Sequence, residues 1–524
     1  MGQWLSAVAI LFSLGYFFVA AIADPAYDES RERYSSSTVG LLKLLKLEQK
    51  FVEILLTQDP HGESETIQAY LFSIDYKKSR TPEETLEYVS NPLSAFSLVR
   101  RTHEDLPKWH QRFQKEMKLA DTMVLDDLLA KVPDSQDFLE AALGIQRIER
   151  IYDLRIDDLA TGRLQNKQYS IRFTFHDRVA MGNLMFKQHD FLAAAKWYRM
   201  ATKLNPIENR EILHTVLGDP SGYLKRQCIK ALFVYGSVLT GDSQSNDEAL
   251  AKVEEKIANM DEEVLDDLLT NLKKPDNDIE LEKQLYETKI TPTAFERGCR
   301  GQFRPRTRLT CRYNFTTTPF LRLAPLKMEE ISRNPYIVMY HDVLYDSEIK
   351  TIKGQSDGLK NGFADVKNES MIRDIVARHV WWTAESPVKE RINQRIIDMT
   401  GLNISRTENI QIANYGLGTY FKPHFDYTSD GYVPPDVSTL GDRLVTILFY
   451  ASDVSQGGAT VFPDLKISIY PQKGSAIWWF NLYNNGTTDT RSKHSVCPVI
   501  NGDRWTLTMW INLFPQMFIA PCNI

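Results

Sequence analysis

His424-Phe425-Asp426 sets an imidazole and a carboxylate two positions apart. In a β-strand, residues i and i+2 point to the same face, so one strand can offer both groups to a single metal ion. The same spacing occurs at His103-Glu104-Asp105, in a region patterned as helix, where it reads as a solvated surface turn. What separates the two is the chain that follows. His494 is the only histidine after His424, and enough chain lies between them for strands to bring it back beside the first pair. Two histidines and one carboxylate form a facial triad, which leaves positions on a non-haem Fe(II) open for a co-substrate and O₂.

Downstream of His494, the run Arg504-Trp505-Thr506-Leu507-Thr508-Met509-Trp510 alternates. Period two places Arg504, Thr506, Thr508 and Trp510 on one face, with Trp505, Leu507 and Met509 on the other. A cation facing into a β cup is costly to bury unless it meets an anion. A guanidinium fork suits a carboxylate, such as the far end of 2-oxoglutarate. The bare His-x-Asp spacing fits a structural pair as well; Arg504 and the alternating strands favour the metal site.

These residues need a β scaffold, and the sequence supplies one. Beyond about residue 330, short runs rich in Val, Ile, Thr, Tyr, Phe and Trp alternate with Gly, Asn, Asp and Pro turns. Strands are expected at 410–415, 443–450, 475–480 and 504–511, with helices near 346–358 and 386–400. The pattern predicts a double-stranded β-helix, or jelly roll, over 331–524. Upstream the chain reads as all-α, so the whole is a multidomain α + β protein. In 24–165, Leu44, Leu47, Phe51 and Ile54 follow helical spacing, and Leu41, Leu45, Val52 and Leu55 widen the stripe. That face must pack in an intramolecular bundle or on a second copy, as a coiled-coil or dimerisation helix. In 166–272, Gly182, Ala194, Tyr198, Ala201 and Pro206 fall at the offsets of one tetratricopeptide unit, although Arg178 stands where a large aromatic is expected. Phe191, Trp197 and Tyr198 read as core of that unit in preference to a peptide platform. A connector, 273–330, links the helices to the β region.

Composition sets the outer limits. Of 524 residues, 43% are hydrophobic and 25% charged, the mix of a folded chain and not of a disordered one. A net charge of −6 gives no ground for a nucleic-acid binder held by overall charge. The first 23 residues carry no charge and end Ala21-Ile22-Ala23, a signal-peptide pattern. Their apolar core is shorter than the roughly 20 residues a membrane span needs. The mature chain is expected to begin at Asp24, free in the secretory lumen. Sequons at Asn314, Asn368, Asn403 and Asn485 permit glycosylation there. In oxidising surroundings, nearness in sequence favours bridges Cys299–Cys311 and Cys497–Cys522, leaving Cys228 as a core thiol.

His-x-Asp, a distant His and a basic residue ten positions later resemble the 2-oxoglutarate-dependent, non-haem iron dioxygenases. Gln411-Ile412-Ala413-Asn414-Tyr415-Gly416, Pro423-His424-Phe425-Asp426, Gly457-Gly458-Ala459-Thr460-Val461-Phe462-Pro463 and Cys497-Pro498-Val499 resemble the catalytic domain of collagen prolyl 4-hydroxylase α subunits. The resemblance spans nearly the whole mature chain, from the helical region and repeat module through the Cys299…Cys311 connector to the oxygenase. It implies Fe(II) on His424, Asp426 and His494, with Arg504 holding the 5-carboxylate of 2-oxoglutarate. Tyr415 and Thr460 would line that pocket and Trp510 would close it. It further implies hydroxylation of peptidyl proline at C4 in collagen-like or proline-rich chains, giving succinate and CO₂. L-Ascorbate would rescue oxidised iron, and protein disulfide isomerase would serve as β subunit of an α₂β₂ tetramer in the endoplasmic reticulum lumen.

Two departures stand out. The family's α subunits usually carry lysine where Arg504 stands, and the tyrosine-rich peptide groove is thinned to Phe186, Phe191 and Leu192. The thinned groove keeps open an oxygenase acting on a non-collagen protein. A non-catalytic peptide-binding chaperone subunit would keep the repeat module but have no need of the triad.

Overall fold

The computed structural model describes residues 32–58, 61–114, 119–203, 210–219, 221–239, 241, 243, 245–258, 260–272, 291–304, 309–361, 377–428 and 435–519. The expected leader, the sequon at Asn368 and Cys522 lie outside the described residues. Among the described residues no helix is long and apolar enough to cross a membrane. Of the other sequons, Asn485 is exposed, whereas Asn314 is buried and its amide donates to Thr317 and Tyr340.

Helix α1 (Thr38–Gln58) buries its broad apolar stripe in two directions. Leu41, Leu44 and Leu45 join a large helical core, while Leu47, Phe51, Val52 and Leu55 pack with Tyr70, Leu106 and Trp109. The chain's own helices therefore cover this face within one subunit. Buried ion pairs add direction to the packing. Arg101 meets Glu48 of α1 at 2.8 Å, and Arg100, at the end of α2 (Pro92–Arg100), meets Asp177 at 2.7 Å.

Asp177 opens the next module, where it caps helix α4 (Phe175–Lys187) with Thr174. Helix α3 (Ser135–Tyr152) precedes it; α5 (Phe191–Thr202) follows and packs on both α4 and α6 (Ser221–Leu239). A Cβ on Gly182 would lie 2.5 Å from the Tyr198 ring, so glycine is what allows α4 and α5 to touch. Arg178 has a structural use in place of an aromatic: it is buried and donates to the carbonyls of Phe173, Met200 and Ala160. Phe191, Trp197 and Tyr198 are buried in the same core, as is the Cys228 thiol, which donates to the Ala195 carbonyl at 3.8 Å.

The β region contains eight strands that build the site: β1 (Ile410–Tyr415), β2 (Phe421–His424), β3 (Arg443–Tyr450), β4 (Thr460–Phe462), β5 (Ile467–Ile469), β6 (Ala476–Phe480), β7 (His494–Val496) and β8 (Arg504–Asn512). Strands β6-β3-β8-β1 run together within a larger sheet, and β5-β4-β7-β2 form a second. All these pairings are antiparallel. This is the strand order of a jelly roll. Leu448, Tyr450, Ile477 and Trp479 of one sheet pack against Phe462, Ile467 and Ile469 of the other, which places the cup between them. On the outer face, Trp505, Leu507 and Met509 join a core with Ile392 and Ile396 of α8 (Pro387–Thr400), as the alternation in β8 requires.

The disulfide differs from the sequence expectation. Cys299 pairs with Cys497, 198 residues away, and Cys311 is a free, exposed thiol, so Cys299 pairs with neither the connector cysteine nor a close neighbour. The reason is topological. Helix α7 (Ala294–Cys299) lies on β4, with Gly298 against Val461 and its carbonyl accepting from Ser468, and β7 leads directly to Cys497. Sequence nearness carries no information about such a return. Peptide mapping without reduction is expected to recover Cys299 linked to Cys497; recovery of Cys299 linked to Cys311 would overturn the pairing. Cys299→Ser should lower unfolding free energy by about 2–4 kcal/mol, read from denaturant titration.

The helical region docks on one end of the barrel. Gly416 and Leu417, just past β1, meet Ser35–Ser37, and a Cβ on Gly416 would fall 2.5 Å from the Ser37 nitrogen. Thr38 donates to Asp503, which also accepts from Asn414, Lys353 and the indole N–H of Trp505. Tyr152 donates to the Pro498 carbonyl, and Arg147 to that of Gly418. The residue immediately before Arg504 is thus fixed from both regions.

Candidate active site

Strands β2 and β7 pair with His424 directly opposite His494. Side chains of directly opposed residues share a sheet face, so the imidazoles are neighbours, with ring centroids 4.3 Å apart. Strand β2 ends at His424, and a bend carries Asp426 back toward them. The His424 Nε2 lies 3.6 Å from Asp426 Oδ1, and the His494 Nε2 lies 3.6 Å from Oδ2. One ligand atom from each residue falls within 4.8 Å of the others. Among the described residues His103 joins no such cluster. Its segment is helical with Asp105 buried against Arg100, not the solvated turn expected, and the His103 Nδ1 donates to the Pro133 carbonyl with the ring against Phe138.

The hydrogen bonds behind the rings set their chemistry. The Nδ1 of His424 sits 2.7 Å from the Lys422 carbonyl, and that of His494 sits 3.0 Å from the Ser492 carbonyl. A carbonyl only accepts, so each Nδ1 carries the proton and each Nε2 lone pair faces the cluster. Burial pushes the His494 imidazole down to about 4, against the pull of Asp426, so it is neutral at neutral pH. Burial opposes ionisation of Asp426; His494 and His424 when protonated, together with Arg443, override it and hold its carboxyl well below the usual carboxylate range. With the imidazoles neutral, Arg443 and the Thr446 hydroxyl remain beside it. Two imidazole Nε2 atoms and one ionised carboxylate are a donor set that could hold a divalent first-row metal.

Arg504 is 1% exposed and faces into the cup. Its Nε donates to the Gly458 carbonyl at 3.0 Å, its Nη2 reaches Thr460 Oγ1 at 3.5 Å, and its guanidinium stacks 4.4 Å over the Tyr415 ring. Its Nη1 is buried with no partner among the described residues. A buried, orphaned guanidinium N–H is a standing demand for an anion. Tyr415 and Thr460 both contact Arg504. Trp510 does not: it lies opposite Thr446 on β3, stacked 4.0 Å beneath the Arg443 guanidinium and near Trp381. It borders the Asp426 side of the site, because six residues along a strand span about 20 Å.

Several neighbours escaped the sequence reading. Tyr450 bonds Thr460 at 2.7 Å and packs beside Arg504, with burial pushing its phenol up to about 12, so it remains neutral. Arg443 makes a two-pronged pair with Glu408 at 2.6 Å on the rim near Trp510. The signal that could have found Tyr450 is the alternation in β3, where Thr446, Leu448 and Tyr450 share the face turned into the cup.

"Prolyl 4-hydroxylase subunit alpha-2" of Caenorhabditis elegans is 30% identical over 459 residues, covering 84% of this chain and 83% of the relative. The chain belongs to the prolyl 4-hydroxylase alpha-subunit family. The family described as "Prolyl 4-Hydroxylase alpha-subunit, N-terminal region" matches residues 37–166, and the "2OG-Fe(II) oxygenase superfamily" matches 410–512. "Prolyl 4-hydroxylase subunit alpha-1" of Homo sapiens is 28% identical over 491 residues, covering 88% of this chain and 89% of the relative. A solved viral collagen prolyl hydroxylase from Paramecium bursaria Chlorella virus-1 is 22% identical, covering 34% of this chain and 95% of its own; its TM-score of 0.28 adds nothing to the fold described above. As a member of the prolyl 4-hydroxylase alpha-subunit family, this chain is a 2-oxoglutarate-dependent prolyl hydroxylase. The 2OG-Fe(II) match, 410–512, runs from the first residue of β1 to the last residue of β8 and contains both the triad and Arg504.

Proposed function

We propose that this chain is a procollagen-proline 4-dioxygenase catalytic subunit, hydroxylating C4 of peptidyl proline in collagen-like or proline-rich chains. The observation that carries the reading is the cluster of half-buried His424 with Asp426 and buried His494 in the cup of an oxygenase domain. These three residues would hold Fe(II), and Arg504 would take the 5-carboxylate of 2-oxoglutarate on its free Nη1. Fe(II), when bound, would supply the O₂-dependent oxidative decarboxylation of 2-oxoglutarate to succinate and CO₂, with one oxygen atom of O₂ going to succinate and the other to the substrate carbon. The chain's own part is geometric and electrostatic. The Lys422 and Ser492 carbonyls keep both Nε2 lone pairs aimed at the cluster, and Tyr415 with Tyr450 seal the arginine end from water. The apolar inter-sheet core behind them lowers the local dielectric and strengthens the Arg504–carboxylate attraction.

The repeat module, with α4, α5 and α6, would bind the extended chain. On these helices Phe186, Leu192 and Asn183 are half-buried and Tyr223 exposed, with Tyr198 donating to Asn183 and Asn183 to Tyr223. That sparse set of tyrosines favours, as a second reading, a non-collagen proline-rich substrate for the same chemistry. Resemblance supports a lumenal setting after cleavage before Asp24, dependence on L-ascorbate, and protein disulfide isomerase as β subunit of an α₂β₂ tetramer. Because the α1 stripe is already covered, contact between α subunits would use another surface.

The test is a turnover assay on the co-expressed protein with (Pro-Pro-Gly)-type peptides and other proline-rich peptides. Succinate release matched by one added oxygen at proline C4 is the expected outcome, read by mass spectrometry. Hydroxylation confined to peptides lacking the Pro-Pro-Gly repeat would move the assignment to the second substrate class.

A further inference from the structure

Asp426 is held by a chain of hydrogen bonds whose direction is fixed from its far end. The indole Nε1 of Trp479 donates to Asn481 Oδ1 at 3.0 Å. An indole N–H can only donate, so this contact identifies the oxygen of the Asn481 amide and leaves its nitrogen pointing the other way. That nitrogen donates to Thr446 Oγ1 at 2.8 Å. With a donor already on its oxygen, the Thr446 hydroxyl turns its single proton to Asp426 Oδ2, at 2.6 Å. All three relay residues are buried, and Asn481 is fully so. The start of the chain also touches a second member of the triad: the Trp479 ring packs edge-on against His494, with centroids 4.7 Å apart.

We propose that Trp479, Asn481 and Thr446 are positioning residues that set the rotation of the Asp426 carboxylate, occupying Oδ2 and leaving Oδ1 as the oxygen offered to the metal. The proposal rests on the reading of His424, Asp426 and His494 as the metal ligands. Without the relay, the carboxylate is free to rotate about its Cβ–Cγ bond and to present both oxygens at once. A carboxylate restricted to one oxygen keeps a coordination position open, which a site that must also admit a co-substrate requires. Polar neighbours that orient a metal ligand typically govern affinity by about 10- to 100-fold.

The experiment measures Co(II) binding to the full-length chain by calorimetry, with Mn(II) electron paramagnetic resonance as a second readout; neither depends on turnover. Thr446→Val removes the donor at nearly constant shape and should weaken Co(II) by about 10- to 100-fold. Thr446→Ser restores the hydroxyl and should recover most of that loss, which a packing defect would not predict. Trp479→Phe keeps the ring against His494 but removes the N–H that orients the amide, so a smaller loss is expected. In the Thr446→Val background, Trp479→Phe should then cost nothing further, because the last link is already gone. Wild-type Co(II) affinity in a folded Thr446→Val protein, or additive losses in the double variant, would overturn the relay. His424→Ala separates the two levels of the argument. If it abolishes Co(II) binding while Thr446→Val leaves the affinity unchanged, the relay alone fails; if it leaves binding intact, the ligand assignment falls and the relay with it.

Discussion

Replacing His424 or His494 with alanine will abolish peptide hydroxylation and the uncoupled decarboxylation of 2-oxoglutarate together, whereas His103→Ala will leave both intact. The two imidazoles stand directly opposite each other on β2 and β7, and each has its Nδ1 proton tied to a backbone carbonyl. Among the described residues no other metal-ligating group joins these two and Asp426, so neither ring has a substitute. The loss should exceed the roughly 10- to 100-fold that follows removal of an outer partner of a metal ligand. His103 shares the His-x-Asp spacing but sits on a helix, with its ring on Phe138 and its Nδ1 on Pro133. Succinate release and metal content, measured on the same folded preparations, check the result. A His424→Ala protein that retains iron and turnover would sink the assignment, and so would a folded His103→Ala protein that loses them.

The difference between those two histidines shows which parts of the site the sequence could carry. Alternation is a local property, so β8 was readable residue by residue: Arg504 inward, Trp505, Leu507 and Met509 outward on the helix-covered face. The positions of β1, β3, β6 and α8 followed from equally local patterns. Pairing between strands is not local. Nothing in the spacing states that Cys497 meets Cys299 or that Trp510 lies across from Thr446, because both depend on how the sheets close. The α1 stripe illustrates the same limit, since its width was plain but its occupant was not, and the chain's own helices fill it. Arg178 breaks the repeat pattern for a reason only the fold supplies, three carbonyls from three segments converging on one guanidinium.

Arg504→Ala should weaken 2-oxoglutarate by about 30- to 3,000-fold while folding and metal binding persist. Removing one partner of a buried charge pair costs about 2–5 kcal/mol, and every 1.4 kcal/mol is about tenfold in affinity. Folding should survive because the free protein gains little from this side chain: Nη1 has no partner among the described residues, and the two bonds it does make are one to a carbonyl and one long contact to a hydroxyl. Its backbone is fixed independently, by the register of β8 with Tyr415 and by Asp503, which binds Thr38, Asn414, Lys353 and Trp505. Arg504→Lys keeps the charge but loses the planar fork, along with the Nη2 contact to Thr460 and the flat stack on Tyr415, so activity should fall only in part, with a raised KM for 2-oxoglutarate. Steady-state titration of 2-oxoglutarate decides the matter. An unchanged KM in folded Arg504→Ala would mean that another cation holds the carboxylate, and the unpartnered Nη1 would then need a different anion to explain it.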